Sequence, residues 1–309
     1  MFDVVSIGNA TMDVFIEIEC KKRKGDYMML PFGSKQEGKS IFYATGGGAT
    51  NTSVAFSRLG LKTGILAAVG KDSSAKTILD ELKAEKIDTS MVVKLDRFNT
   101  AYSAIITGLN FNRIIFTYGG ATTHLQSESK INWEKLGTAK WFYVSSFHSK
   151  PSLLKKIFSF AEKKGIRIAW NPGKSELRQG VKKLTPLLKK AGVLFLNAEE
   201  AKILTGKSGA RENLKALQKH VPLVVITQGK KGSVAFDGKR FYRRGVHKVK
   251  VADTTGAGDA FNSGFLAAII KGKQIKKALG LGTRNAEGVI VEKGAKNNLL
   301  TKKRAKKYL

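Results

Sequence analysis

A recurring alternation along this chain leaves few folds open to it. The runs 2–8, 64–69, 141–145, 166–170, 193–196 and 223–227 are short, rich in β-branched and aromatic residues, and bounded by turn signals, as buried strands are. Segments of helical period at 74–85, 152–164 and 210–220 follow or separate them. Strand then helix, repeated without a linker, predicts βαβ units: an α/β fold of three layers, with helices on both faces of a mostly parallel sheet. The series runs through the whole length, so a single domain over 1–309 is expected, and 42% hydrophobic residues can supply its core. The last third reads as helical at 257–271, 274–292 and 299–308, with a β segment at 246–251.

Two stretches break the pattern. Residues 14–43 and 98–118 alternate apolar and polar positions with Gly and Asn turns. Within the second, 100–107 and 113–118 are joined by Gly108-Leu109-Asn110-Phe111-Asn112, the pattern of a hairpin. Two β excursions from an α/β body predict a small β lid over its binding edge. Open strand edges in that lid would suit a homodimer formed through it.

Three glycine-bearing motifs compete for attention. Gly33-Ser34-Lys35-Gln36-Glu37-Gly38-Lys39-Ser40 satisfies GxxxxGK[ST], yet Ile41-Phe42-Tyr43 follows as a strand would. A phosphate loop needs a helix at that point, so the match is fortuitous. Gly46-Gly47-Gly48 instead leads into a helical segment ending at Gly60, with Asn51 in its first turn. Bare amides there suit a ligand packed on the main chain, and the Asn51 amide can both donate to and accept from a polyol. A tight turn capped by Asn is the alternative. The third motif is Asp253-Thr254-Thr255-Gly256-Ala257-Gly258-Asp259-Ala260-Phe261. Gly256, Ala257 and Gly258 fall at a helix N-terminus, where exposed amides attract an anion, and Asp259 falls in the first turn beside it. A carboxylate so placed can take a hydroxyl proton while the amides stabilise charge on a transferring phosphoryl group, or it can simply complement the helix dipole.

Composition narrows the partners. With 55 Lys+Arg against 24 Asp+Glu, the net charge of +31 attracts nucleotides, sugar phosphates and nucleic acid alike. No strip of Arg or interleaved aromatics offers base contact, so nucleic acid is not the expected partner; a basic nucleic-acid binder built on the same fold is the reading from another class. Cys20 is single, and His124, His148, His220 and His247 are scattered, so no zinc cluster is expected. No leader-like start and no long apolar stretch occur, which predicts a cytoplasmic protein without a membrane segment.

The motifs at 253–261 and 46–60 resemble the C-terminal and N-terminal signatures of the ribokinase (PfkB) family of carbohydrate and nucleoside kinases. Gly8 with Asp13, the Asn197-Ala198-Glu199-Glu200 element, Thr227 to Gly232, Arg113 to Ala121, and Asn285-Ala286 match in order, so the resemblance spans nearly the whole chain. It implies a ribokinase-like fold and transfer of the γ-phosphoryl group of ATP to a sugar or nucleoside hydroxyl. Asp259 would be the general base, and Gly256, Ala257 and Gly258 the anion hole. Asp13, Gly47 and Asn51 would hold sugar hydroxyls, with Arg113 a further acceptor contact. Asn197, Thr227, Gly229 and Asn285 would line the nucleotide groove, and Glu200 with Asn197 would organise Mg²⁺ through water. A monovalent cation is a further cofactor that the resemblance brings in. Simpler readings stand beside these: Asp13 as a turn residue, Glu200 as a favourable helix start, Asn285 as polar surface. Phe15, Phe42, Tyr43, Tyr102 and Phe116 could form a slot for a base, and Lys35, Lys39 or Arg113 could meet an acceptor phosphate. The departures are a third glycine at 46–48, Gln228, and Glu287 at a position where a small residue is common.

Overall fold

The computed structural model describes residues 1–19, 23–24, 27–108, 113–125, 130–146 and 151–308. Cys20, His148 and residues 109–112 of the expected hairpin turn lie outside them. Strand β1 (Val4–Ile7) is followed by β2 (Thr11–Ile18) and β3 (Gly38–Gly46), then by helix α1 (Gly48–Arg58). After β4 (Thr63–Leu66) and α2 (Ser73–Ala84) come β5 (Ala101–Thr107) and β6 (Arg113–Tyr118). Strand–helix steps continue with β7 (Trp141–Val144), α3 (Pro151–Lys163), β8 (Arg167–Trp170) and α4 (Gly180–Leu188). The chain then runs through β9 (Val193–Asn197), α5 (Ala198–Thr205), α6 (Ala210–Gln218) and β10 (Leu223–Thr227). It closes with β11 (Ser233–Phe236), β12 (Phe241–Arg244), α7 (Ala257–Ile270) and α8 (Ile275–Val289).

The main sheet has the order β12-β11-β10-β9-β8-β7-β1-β4, parallel from β10 to β4 and antiparallel at β11 and β12. Each parallel strand is apolar on both faces because helices cover both. Val5, Ile7, Phe142, Val144, Ile168, Trp170, Leu194 and Leu196 pack with α3 to α6. Their neighbours Val4, Trp141, Tyr143, Ala169, Val193 and Phe195 turn to α1, α7 and α8. Phe158 of α3 meets Trp170 edge-on with centroids 5.1 Å apart. Truncating either buried ring to Ala costs about 3–5 kcal/mol.

The two excursions expected to make a lid form a second sheet, of order β6-β5-β2-β3. Its strands reach slightly beyond the expected limits of 14–43 and 98–118, since β2 begins at Thr11 and β3 runs into Gly46 at the start of α1. Gly38 to Ser40 of the fortuitous phosphate-loop match lie inside β3, and no helix follows them.

Two expected elements are corrected. Residues 246–251 alternate as a strand would, but the ladder ends at Arg244. Within the segment His247 N–H donates to Glu287 Oε1 of α8, and just beyond it Ala252 N–H donates to Ile290 O at the C-cap of α8. At the C-terminus, the expected 299–308 helix is one α turn, Lys302–Ala305, capped by Thr301 and followed by the 3₁₀ turn Lys306–Tyr308.

Candidate active site

Parallel sheets present their carboxyl ends to ligands, because the loops there open between the helix layers. Here β1 ends at Ile7, β7 at Val144, β8 at Trp170, β9 at Asn197 and β10 at Thr227. The glycine-led N-termini of α1 and α7 meet at this edge. Gly47, with φ 95°, caps α1, and Gly256, with φ 76°, caps α7 in the left-handed region that an L side chain resists. A Cβ on Gly256 would stand 2.5 Å from the Cβ of Ala295, so close packing and conformation both demand glycine. In α7 the first helical bond runs from Ala260 N–H to Gly256 O, and Ala257 N–H turns back to Thr254 O. The Gly258 and Asp259 amides have no acceptor among the described residues, so this helix end keeps donors that an anion could use.

Asp259 occupies that first turn, and Asn51 Nδ2 of α1 donates to its Oδ2 at 2.8 Å. Burial at the cleft floor pushes the Asp259 carboxyl up to about 6; the Asn51 hydrogen bond opposes this rise and the charge of Glu200 adds to it. The group is therefore ionised at neutral pH, yet basic enough to receive a proton. Asn51 Oδ1 is buried without a partner among the described residues, an acceptor left unused by the fold. Gly48, the first residue of α1, packs close to its neighbours: a Cβ there would fall 2.5 Å from Ser145 Oγ and 3.8 Å from Asp259 Oδ1.

Asp13 of β2 joins this group from the lid side. It is 8% exposed, and a Cβ on Gly46 would fall within 1.9 Å of its Oδ2. Burial raises its carboxyl above the usual range, against hydrogen bonds from Ser103 and Thr11. Asn51 and Asp259 are joined directly, and Asp13 lies against Gly46, one residue before the Gly47 cap of α1. Arg113 does not join them: its Nη1 donates to Asp253 Oδ1 at 2.8 Å and to Thr255 Oγ1 at 2.6 Å. Lys296, 6% exposed, ties the base of the lid by bonding Thr45 and Glu81.

On the other side of the cleft, Asn197 and Thr227 are register partners at the ends of β9 and β10, and Gly229 opens the following turn with φ 54°. Asn197 Oδ1 accepts from Glu200 N–H at 2.8 Å, and Glu200 Oε2 accepts from Asn197 N–H at 2.8 Å, a reciprocal cap on α5. Burial raises the Glu200 carboxyl despite bonds from Asn197 N–H and the Asn171 side chain. The charge of Glu200 is felt at Asp259, so a cation near both would relieve their repulsion. Among the described residues no cluster of three or more His, Cys, Asp or Glu exists, so a Mg²⁺ here would keep much of its water.

Asn285 is fully buried: its Nδ2 donates to Ala260 O at 2.7 Å and its Oδ1 accepts from Leu300 N–H at 2.9 Å. It holds α8 to α7 behind the cleft and does not line it, because both ends of its amide are consumed in the core. Glu287 accepts from the His247 amide and from Arg284, which also takes up its charge.

Several polar residues at the site carried no motif. Asn262 Nδ2 donates to Tyr143 Oη at 3.0 Å and lies 3.3 Å from Asn171 Oδ1, linking α7, β7 and β8 beneath Asp259 and Glu200. Asn171 and Ser145 each follow a parallel strand directly, a position that itself marks a residue for the binding edge. Helical spacing from Asp259 could have marked Asn262 in the same way.

Register also sorts the lid aromatics. Phe15 pairs with Phe42 on the face that carries Asp13 and Arg113, and their rings stand 5.8 Å apart. Tyr43, Tyr102 and Phe116 are on the opposite, outward face and cannot line a slot over the cleft. Lys35 and Lys39 are exposed, with neither bonded to a site residue.

No helix among the described residues is long and apolar enough to cross a membrane. Comparison with known proteins agrees with the geometry. A ribokinase from Haemophilus influenzae is 29% identical over 290 residues, covering 90% of this chain and 91% of that protein. A nucleoside kinase from Methanocaldococcus jannaschii is 24% identical over 302 residues, covering 97% and 94%. The structure of an Arabidopsis thaliana ribokinase complexed with ribose and ATP superposes with a TM-score of 0.86 at 21% identity, covering 99% of this chain and 98% of that one. The model of the pfkB family carbohydrate kinases matches residues 1–302. The chain belongs to the pfkB family of carbohydrate kinases and is a ribokinase-like phosphotransferase.

Proposed function

We propose that this protein transfers the γ-phosphoryl group of ATP to a hydroxyl of a sugar. The observation that carries this reading is the Asn51–Asp259 pair: a carboxylate with its proton affinity raised to about 6, at the open N-terminus of α7, beside a buried unpartnered acceptor. Asp259 takes the proton from the attacking hydroxyl. The amides at Gly256 and Gly258 stabilise charge on the transferring group in line with the attack, while the expected third donor, Ala257 N–H, is already given to Thr254 O. Asp13, Gly47 and Asn51 orient the sugar through paired donors and acceptors, which a polyol matches. The nucleotide lies along Asn197, Thr227 and Gly229. Glu200 would hold Mg²⁺ through water, and the ion would supply charge compensation for the phosphates. We assign no residue to a monovalent cation. Closure of the lid excludes water, so that the phosphoryl group goes to the sugar and not to hydrolysis.

A nucleoside acceptor is the second reading, favoured by the Phe15–Phe42 pair on the inner lid face, where a base could stack. The outer lid face bears exposed Ile41, Tyr43, Ile114 and Phe116, an apolar surface that a second copy of the lid would cover. A Phe116→Glu variant should then run as a monomer in sedimentation if the wild type is a dimer. The test of function is ADP release with ATP and Mg²⁺ over pentoses, hexoses, sugar phosphates and nucleosides, with Asp259→Asn beside it. Acceptor-dependent turnover absent from the variant supports the reading and names the substrate class. A folded wild type that turns over none of these acceptors, yet binds nucleic acid with steep salt dependence, would sink it.

A further inference from the structure

Among the described residues Lys296 is the one buried Lys or Arg, and the reaction above gives it no part. Its position is fixed from two helices. Arg58 of α1 donates to Lys296 O at 2.7 Å while pairing with Glu85, and Glu81 of α2 meets Lys296 Nζ at 3.0 Å. Nζ also donates to Thr45 Oγ1 of β3, one residue before Gly46, which packs against the Asp13 carboxylate. Asp13 is buried too, and its hydrogen bonds come from neutral groups: Thr11 Oγ1 at 3.1 Å and the Ser103 side chain. No Lys or Arg bonds it among the described residues. The charge that acts on Asp13 is that of Lys296, and each group favours the ionised form of the other. A buried ion pair adds little to stability over a well-packed apolar replacement, whereas a buried carboxylate without counter-charge is costly. Glu81 has a side chain 31% exposed and within reach of water, so Asp13 is the carboxylate that needs this cation.

We propose that Lys296 is a positioning residue for the acceptor, supplying the counter-charge that holds the Asp13 carboxylate ready for sugar hydroxyls, an inference that rests on the kinase reading above and on Asp13 as an acceptor contact. A carboxylate accepts from two hydroxyls at once; a carboxylic acid spends one oxygen on its own proton. The bond from Lys296 to Thr45 also fixes the backbone against which that carboxylate rests. Glu81 completes the arrangement by keeping the buried ammonium charged from its other side. Lys296 acts through Asp13 and takes no part in the phosphoryl step, so its effect belongs to acceptor binding and not to transfer.

The test compares wild type, Lys296→Met, Asp13→Asn and Lys296→Met/Asp13→Asn, as full chains, on the best acceptor. Lys296→Met should raise the acceptor KM about 10–100-fold, with kcat and the ATP KM within about threefold of wild type, the pattern of lost uniform binding. Asp13→Asn is neutral and needs no counter-charge. Adding Lys296→Met to it should lower kcat/KM by less than about threefold further, so the two effects are strongly non-additive. Because Lys296→Met orphans Glu81, Lys296→Met/Glu81→Gln runs beside it. That protein should melt within about 3 °C of wild type and still show the raised acceptor KM. Additive effects of Lys296→Met and Asp13→Asn, or an acceptor KM restored in Lys296→Met/Glu81→Gln, would overturn the inference and make Lys296 a strut of the fold. An unchanged acceptor KM in a folded Lys296→Met, or a loss confined to kcat, would overturn it outright. Wild type inactive on every acceptor would instead bring down the kinase reading, and this inference with it.

Discussion

Two helices begin at the same edge of the sheet with an acid three residues past the cap, and they use it in opposite ways. In α5 the cap is Asn197 and the acid Glu200; each side chain satisfies the other's amide. In α7 the cap is Gly256, which has no side chain, and the acid is Asp259, whose carboxylate bonds across to Asn51 on another helix. A capping box consumes a helix N-terminus; a glycine cap leaves its amides for a ligand. The site is built from the helix end that the chain declines to satisfy. Stability is gained at α5 and withheld at α7.

Substitutions at the two caps should separate these roles. Asp259→Asn keeps the shape but cannot take a proton, and turnover should fall about 10²–10⁴-fold in steady-state assays. Its melting temperature should rise. The folded-state carboxyl is raised to about 6, so the folded protein favours the protonated form, and stability present at acid pH is lost as pH climbs through 6. The neutral amide avoids that loss. An Asp259→Asn protein as active as wild type would end the comparison.

Gly256→Ala forces an L residue to φ 76° and drives a methyl into Ala295, so denaturant unfolding should show a loss of about 2–4 kcal/mol. Turnover should collapse with it.

The pH–rate profile tests the environment of Asp259 from both sides. Its acid limb in kcat/KM should lie near 6, activity falling as pH drops through that value. Asn51→Ala removes the hydrogen bond that favours the ionised form and should move the limb to higher pH. Glu200→Gln removes a neighbouring negative charge and should move it to lower pH, while Gln preserves the capping box and the melting temperature. Shifts of the same sign would break the argument.

The smallest effect belongs to the satisfied cap. Asn197→Ala should cost about 1 kcal/mol in unfolding experiments, and Asn197→Ser should recover most of it.

Much of this was legible along the chain. Both glycine-led helix starts, the capping pattern of 197–200 and the strand runs of the parallel sheet depend on residues within a few positions of each other, and backbone geometry turns such local patterns directly into structure. Where a pattern was equally local but its partner was not, the reading failed. Residues 246–251 alternate like a strand, but a strand needs a neighbour, and α8 supplied hydrogen bonds where no ladder did. Asn285 sits in a helix whose facing is set by packing, and it turned into the core. The five lid aromatics split by register, which no single strand reveals.

The amino-acid sequence by itself determined the α/β alternation, the lid as an interruption of it, and Asp259 at a helix N-terminus with bare amides. Only the tertiary structure decided that Asn51 would meet Asp259 across 208 residues and that Arg113 would meet Asp253 across 140. Helix starts and strand periods are properties of neighbours in the chain. The proton affinity of a carboxylate and the partner of a guanidinium depend on burial and on charges brought together by folding, and distant segments set both.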